Sequence, residues 1–403
     1  MGFRQLFSLC VVLALPTALS AAEIETVDAL IPTPAAVGVN LGSTPPTLTL
    51  PGREIPLRDV LRIGWTGGAP LPARFKIELI DGSELVGNLV SDAPEESIRL
   101  IGGLFQKPRD IPLESIRRIE RRNLPGGPRP RGPQAEASDR LYPLSGGSVE
   151  GLVLEVRSSG VKFEDEKLGE ITFEWEKIAS LELAALEEAP SLADDAIAVA
   201  LEGPSGSRLL AQLDSLDARE VQVTSPLLGK VAASLREVSG LVFLLGRLEY
   251  LSNRDPVEVE QGVEPALMDP ETFAHFCGWQ RDRSVEKTPL VIGTKSFRKG
   301  LGVHSNCKLV YAVKPGDRTF QSWIGIDVEG HPPTQNPEYG SVVFRVLVDG
   351  EEKVREAINW EQPARRVQVS LAGASRLELI VEEGPGLHIC DRADWGDARI
   401  IRD

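Results

Sequence analysis

Three aspartates, Asp391, Asp394 and Asp397, recur at every third position near the end of the sequence. Clustered carboxylates can hold a calcium ion through oxygen, which makes Asp391 and Asp394 the candidate metal ligands. In a strand, however, side chains at that spacing do not all face one way. The alternative is that Asp394 pairs with an arginine such as Arg283 while the other two face solvent. A second group has the chemistry of a sugar contact, which needs an aromatic platform for the C–H face and donors and acceptors for the hydroxyls. Trp360, within Asn359-Trp360-Glu361-Gln362, and His331, Asn336 and Tyr339, in one long loop, have that character. Each also reads as a packed loop aromatic or a solvated side chain. Lys299-Gly300-Leu301-Gly302-Val303-His304 has glycines like a phosphate loop, but its spacing matches neither the Rossmann nor the Walker pattern. The glycines then serve a tight strand entry, and His304 is either a buried, satisfied histidine or a further ligand contact. There is no Gly-x-Ser-x-Gly elbow, no His-Glu-x-x-His and no activated-cysteine signature. No carboxylate pair sits in a recognisable glycosidase setting. The reading is non-enzymatic.

The elements that must position these residues are strands. Lys308–Val313, Thr319–Asp327, Val342–Val348, Lys353–Ala357, Val367–Leu371, Leu377–Val381 and Ala398–Ile401 are apolar, alternating runs joined by turn signals such as Asp349-Gly350. About eight short strands of this kind predict a sandwich or jelly roll. Four of the six tryptophans lie beyond Gly246, together with all four histidines. Trp279, Trp323 and Trp395 are assigned to the sandwich core.

Ahead of this region the sequence repeats itself. Ile77–Gly87 alternates apolar and polar residues around Asp81-Gly82, and Ile111–Ile119 closes that unit. Leu141–Gly151 with Ile171–Ile178, and Val199–Ala211 with Val231–Val238, repeat the pattern. Ile55–Ile63 resembles a closing segment whose opening half is short. Each unit reads as a small β-barrel, because one hairpin cannot bury a core whereas four or five strands closed on themselves can. The pattern is faintly similar to Sm-like or SH3-like barrels, without the basic and aromatic residues of a nucleic-acid surface. The predicted organisation is a signal peptide at 1–22, a partial β unit at 23–68, and barrel repeats at 69–120, 141–183 and 196–245. A Pro/Gly/Arg-rich linker at 121–140 and a connector at 184–195 separate them, and a C-terminal module fills 246–403.

The signal reading rests on Arg4, the apolar run Leu6–Leu19, too short to span a bilayer comfortably, and the small residues Ser20-Ala21-Ala22. The alternative is an uncleaved anchor. Export predicts a secreted or periplasmic protein. The 403-residue chain carries a formal charge of −15 and has 42% hydrophobic residues. That charge repels phosphate backbones and anionic lipid, so nucleic acid and stable membrane insertion are excluded, while neutral ligands such as sugars fit. Cys277, Cys307 and Cys390 remain after the signal, an odd number, either with one disulfide or as three free thiols.

The C-terminal module resembles a known family. Tyr250-Leu251-Ser252, Gly278-Trp279 with Asp282-Arg283-Ser284-Val285, and Pro289–Gly293 open its pattern. Lys299–Ser305, Ile324–Asp327, Ser341–Val346 and Asp391–Ala398 continue it in order. These are similar to the NPCBM domain, a carbohydrate-binding module associated with family 98 glycosyl hydrolases. The resemblance covers about the last 150 residues. It implies an all-β, galactose-binding-like jelly roll preceded by the tandem small barrels. It implies that the first and last strands are neighbours, bringing Arg283 towards Trp395. It also implies a galactose-containing glycan as ligand and, from the wider fold, a structural calcium ion. Departures fall at Val257–Phe276 and at the loop His331–Pro337. Two functional readings follow: a secreted, non-catalytic glycan-binding protein, or an extracellular assembly protein with protein partners along the repeats.

Overall fold

The computed structural model describes residues 22–402, apart from 34–36, 67–68, 92, 95, 123, 125–137, 166–168, 185–188, 194–195, 263–268, 331–338 and 386–387. The signal segment and most of the proposed linker therefore lie outside the described residues. The chain divides into two compact units, Met1–Leu244 and Leu245–Asp403. Strands dominate both, and the described residues include one α-helix, Pro270–Cys277.

The N-terminal unit holds four copies of one strand pattern. In the second copy, Phe75–Leu79 alternates buried and half-buried residues and turns at Asp81-Gly82 into Glu84–Leu89. Gly82 has φ +83°, and the Asp81 carboxylate accepts from the Ser83 amide at 2.8 Å, so the residue types at this turn dictate it. Two more strands and a 3-10 turn at Leu113–Ser115 lead to Ile116–Arg121, which returns onto the first strand with Ile119 opposite Ile77. The third and fourth copies close the same way, with Leu141 opposite Leu181 and Leu201 opposite Leu241. Residues 22–65 form a complete copy: Ala22–Thr26 is its opening strand, with Ile24 opposite Ile63. In no copy do the described ladders close into a full barrel, because the fourth strand runs through its turn into the fifth without pairing to it.

The copies are not beads in series. The closing strand of the second pairs with that of the third, Ile119 opposite Leu181, and the closing strand of the fourth pairs with that of the first, Leu241 opposite Ile63. Ion pairs sit at these seams. Buried Arg118 meets Glu182 at 2.8 Å, and half-buried Arg62 meets Glu202 at 3.0 Å.

The C-terminal unit is a β-sandwich. One sheet runs in the order Gln280–Arg281, Gly300–His304, Arg392–Arg402, Asp317–Ile326, Arg365–Ser370, with Leu248–Tyr250 also on the Arg392–Arg402 strand. The other runs Glu258–Gln261, Cys307–Ala312, Arg376–Glu383, Ser341–Val348, Glu351–Asn359. The Ser341–Val348 strand alternates as a half-buried strand should, and Asp349-Gly350, with φ +49° and +81°, makes the hairpin turn. Between the sheets Trp395 stands edge-on to Phe344 at 5.0 Å, with Phe320 at 6.2 Å. The departure at 257–276 adds an edge strand, Glu258–Gln261, and the helix, whose Phe273 is buried. At the strand ends Arg254 joins buried Asp317 and Glu249, at 2.8 and 2.5 Å, and holds the Glu249 carboxyl down at about 2.

Candidate functional site

Four loops meet at one end of the sandwich. The Trp360 amide donates to the Gly340 carbonyl, and the Gly340 amide to the Ile389 carbonyl, both at 2.9 Å. Asp391 accepts from the Ser341 amide at 3.2 Å, while its own carbonyl accepts from the Ser305 amide at 3.2 Å. These bonds bring three of the five sequence candidates, Tyr339, Trp360 and His304, to the same end. His331 and Asn336 lie outside the described residues. Tyr339 is half-buried, and Trp360 is half-buried against the main core.

His304 is buried at the end of its strand, edge-on to Phe273 with ring centroids 5.7 Å apart and 6.4 Å from the ring of His388. Burial pushes it down to about 4, so the ring is neutral at neutral pH and can both donate and accept. Asp391 is fully buried, and desolvation pushes its carboxyl up to about 7. The result is an aromatic rim, Trp360 and Tyr339, beside the hydrogen-bonding groups His304, neutral at neutral pH, His388 and Asp391. Sequence reasoning missed His388. It sits in an irregular turn, where no periodicity marks it.

The closing aspartates go elsewhere. Arg283 is exposed and does not pair with Asp394. The first and last strands do lie side by side, Leu248 opposite Ile401, but the Arg283 segment is separated from the last strand by Gly300–His304. Asp394, opposite Gly302 and Gly325, faces Asp327 instead. Both acids are fully buried, and neither oxygen of Asp394 has a hydrogen-bond partner among the described residues. Burial first, then the Asp327 charge, raises Asp394 well above the usual carboxylate range. Asp327 is satisfied by the Val291 and Glu329 amides, each at 2.9 Å. Asp391 and Asp394 thus serve different partners, and no group of three or more His, Cys, Asp or Glu side chains gathers for a metal among the described residues. The alternative of a solvent-facing carboxylate does not hold for Asp391, which is fully buried.

The other tryptophans divide. Trp395 is in the core, and Trp279 packs on its margin with the Arg281 guanidinium 5.0 Å from its ring centre. Trp323 points to the opposite face of its strand, against the satellite cluster Leu290, Ile292 and Phe297, with the Lys295 ammonium 4.2 Å from its ring centre. Cys277, Cys307 and Cys390 are free thiols; burial pushes Cys307 up to about 12.

The opening and closing motifs thus frame one sandwich, and a family comparison places it. Residues 252–401 match the NPCBM/NEW2 domain. Among solved structures, the chain is similar to a CBM51 from Clostridium perfringens GH95 in complex with methyl-galactose. The identity is 22% and the TM-score 0.32, covering 38% of this chain and 99% of that one. It is also similar to the CBM51-2 and INT domains of Clostridium perfringens ZmpB in complex with GlcNAc, at 18% identity and TM-score 0.33, covering 60% of this chain and 43% of that one. Tandem CBM51 modules of a family 98 glycoside hydrolase from Streptococcus pneumoniae SP3-BS71 match at 16% and 0.33, covering 53% and 74%. No curated protein matches the chain. The NPCBM match begins at Ser252 and leaves the four-copy unit outside it.

Proposed function

We propose that this is an exported, non-catalytic carbohydrate-binding protein whose NPCBM domain reads a glycan at the loop end carrying Trp360, Tyr339, His304 and His388. The observation that carries the reading is the NPCBM/NEW2 match over residues 252–401. The aromatic rim beside neutral donors and acceptors supports it, because that pairing suits a sugar ring better than an ion. The N-terminal copies act as its scaffold. A galactose-containing glycan is the first ligand to test. Full-length protein on a glycan array should bind a restricted set of glycans, and His388→Ala and Trp360→Ala should each weaken that binding about tenfold or more. Absence of binding across the array overturns the reading. Export is tested by N-terminal sequencing of protein made in a Sec-competent host, which should start near Glu23.

An assembly role for the repeats has one observation in its favour. Leu152 and Leu154 are exposed two residues apart on the strand Val149–Val156, an apolar pair on one face that a protein partner could cover.

A further inference from the structure

A second surface of the sandwich has a different chemistry. A groove of about 500 Å³ is lined by Trp279, Gln280, Arg281, Arg283 and Lys287. No acidic residue lines it, on a chain whose formal charge is −15. Two acids of this segment are held away from the groove, Asp282 by Lys299 at 2.7 Å and Glu286 by Arg392 at 2.7 Å, whereas Asp255 pairs with Arg281 of the groove itself at 2.7 Å and leaves Arg283 and Lys287 as the cations open to a ligand. Arg283 and Lys287 are exposed, and no carboxylate among the described residues pairs with either.

The groove is also built to keep its shape. The Arg281 guanidinium donates to the Ser252 and Arg254 carbonyls at 2.9 and 3.2 Å while lying over the Trp279 ring, which fixes ring and cation together. The Trp279 amide is bound by the Gln261 side chain at 3.1 Å, and Gln280 donates to the Gly278 carbonyl at 2.9 Å. The loop bearing the two free cations turns tightly, with the Lys287 amide on the Ser284 carbonyl and Ser284 on Thr288. Asp282 and Lys287 both take left-handed conformations, φ +57° and +67°, a strain that side-chain-bearing residues adopt where the fold fixes it.

We infer that this groove is an acidic-sugar subsite: the Trp279–Arg281 stack meets the ring, and Arg283 and Lys287 meet a carboxylate or sulfate on it. A fork-shaped guanidinium beside an ammonium is suited to an oxyanion, and an aromatic beside them separates a sugar acid from a bare ion. The inference rests on the sugar-binding reading of the sandwich and adds the ligand class. It reverses the expectation from overall charge, because net charge averages over a surface that is locally positive here.

The test is calorimetric titration of the full chain with lactose, 3′-sialyllactose, galactose 6-sulfate and inorganic sulfate, repeated with Arg283→Gln/Lys287→Gln. Both residues are exposed, so the double variant should keep its melting temperature. One or both acidic sugars should bind about tenfold more tightly than lactose in dilute salt. Which of the two does so identifies the anion. The preference should fade towards equality near 0.5 M salt and disappear in the double variant, with lactose binding unchanged. Equal binding of lactose and both acidic sugars overturns the inference and leaves the wider reading intact. So does a preference that survives the double substitution, or inorganic sulfate binding as tightly as the acidic sugars. Failure of every sugar to bind overturns the inference, and the array then decides the wider reading separately.

Discussion

The two units bury charge in opposite ways. In the N-terminal unit charges are paired across the seams between copies, buried Arg118 with Glu182 and half-buried Arg62 with Glu202, and Glu182 also accepts from the Tyr142 hydroxyl at 2.9 Å. In the sandwich, Arg254 and Asp317 follow that rule, but Asp391, Asp394 and His304 are buried without an opposite charge and their proton affinities are displaced instead. Paired burial fixes how copies register against one another. Unpaired burial is tolerated where something other than stability is selected, and perturbed groups of this kind concentrate at functional sites.

The largest expected effects compare two buried tryptophans. Trp395→Ala should remove about 3–5 kcal/mol from the sandwich by leaving a cavity beside Phe344. Trp175→Ala should cost the N-terminal unit as much, because its ring lies edge-on to Phe75 of the neighbouring copy at 4.9 Å. Calorimetry of the full chain should show each substitution lowering a different transition. A single transition lowered by both would mean that the two units melt together.

Next come the arginines. Arg118→Ala strands Glu182 in a buried seam and should cost about 3–5 kcal/mol in urea unfolding. Arg283→Ala, on an exposed residue, should stay within about 0.5 kcal/mol. A large loss at Arg283 would restore a structural role for it.

A pH series sharpens the comparison within the sandwich. A carboxyl raised in the folded state contributes stability that is complete below its unfolded value and lost as pH rises through its folded value. Asp391, raised to about 7, should therefore cost the sandwich on the order of 3 kcal/mol between about pH 4 and pH 7. Glu249, held at about 2, acts the other way, and its contribution is lost as pH falls from about 4.5 through 2. The sandwich should thus be most stable in mild acid. Asp391→Asn should flatten its alkaline decline in melts between pH 4 and pH 8. An unchanged slope would show that Asp391 does not titrate in this range.

The copies were legible where the chain announces them locally. Asp81-Gly82 fixes a hairpin, and period-2 alternation fixes which side of Phe75–Leu79 is buried. The opening strand Ala22–Thr26 is obscured because it directly follows the apolar N-terminal run and lacks such a turn. The pairing of first with fourth copy and second with third has no local signal, since ladder register across more than a hundred residues depends on packing alone. Trp323 was assigned inward on size, although alternation with Phe320, Ile324 and Ile326 already put it on the other face. The Arg283–Asp394 pair failed for a topological reason: strand Gly300–His304 is inserted between two segments that one family pattern brings together. At the loop end, residue chemistry identified Trp360, Tyr339 and His304. The bonds that gather them are backbone bonds between distant loops, which side-chain identities do not encode.

The clasp of Leu248–Tyr250 against Arg399–Ile401 has a consequence for how such a module travels between proteins. Entry and exit of the chain lie one strand apart, so the whole sandwich can be spliced into a host loop or hung at a host terminus. The host needs to bridge only a few ångströms, and neither sheet is opened. A sandwich built this way is a cassette. Its loops can diversify in one genetic context and be transplanted intact into another.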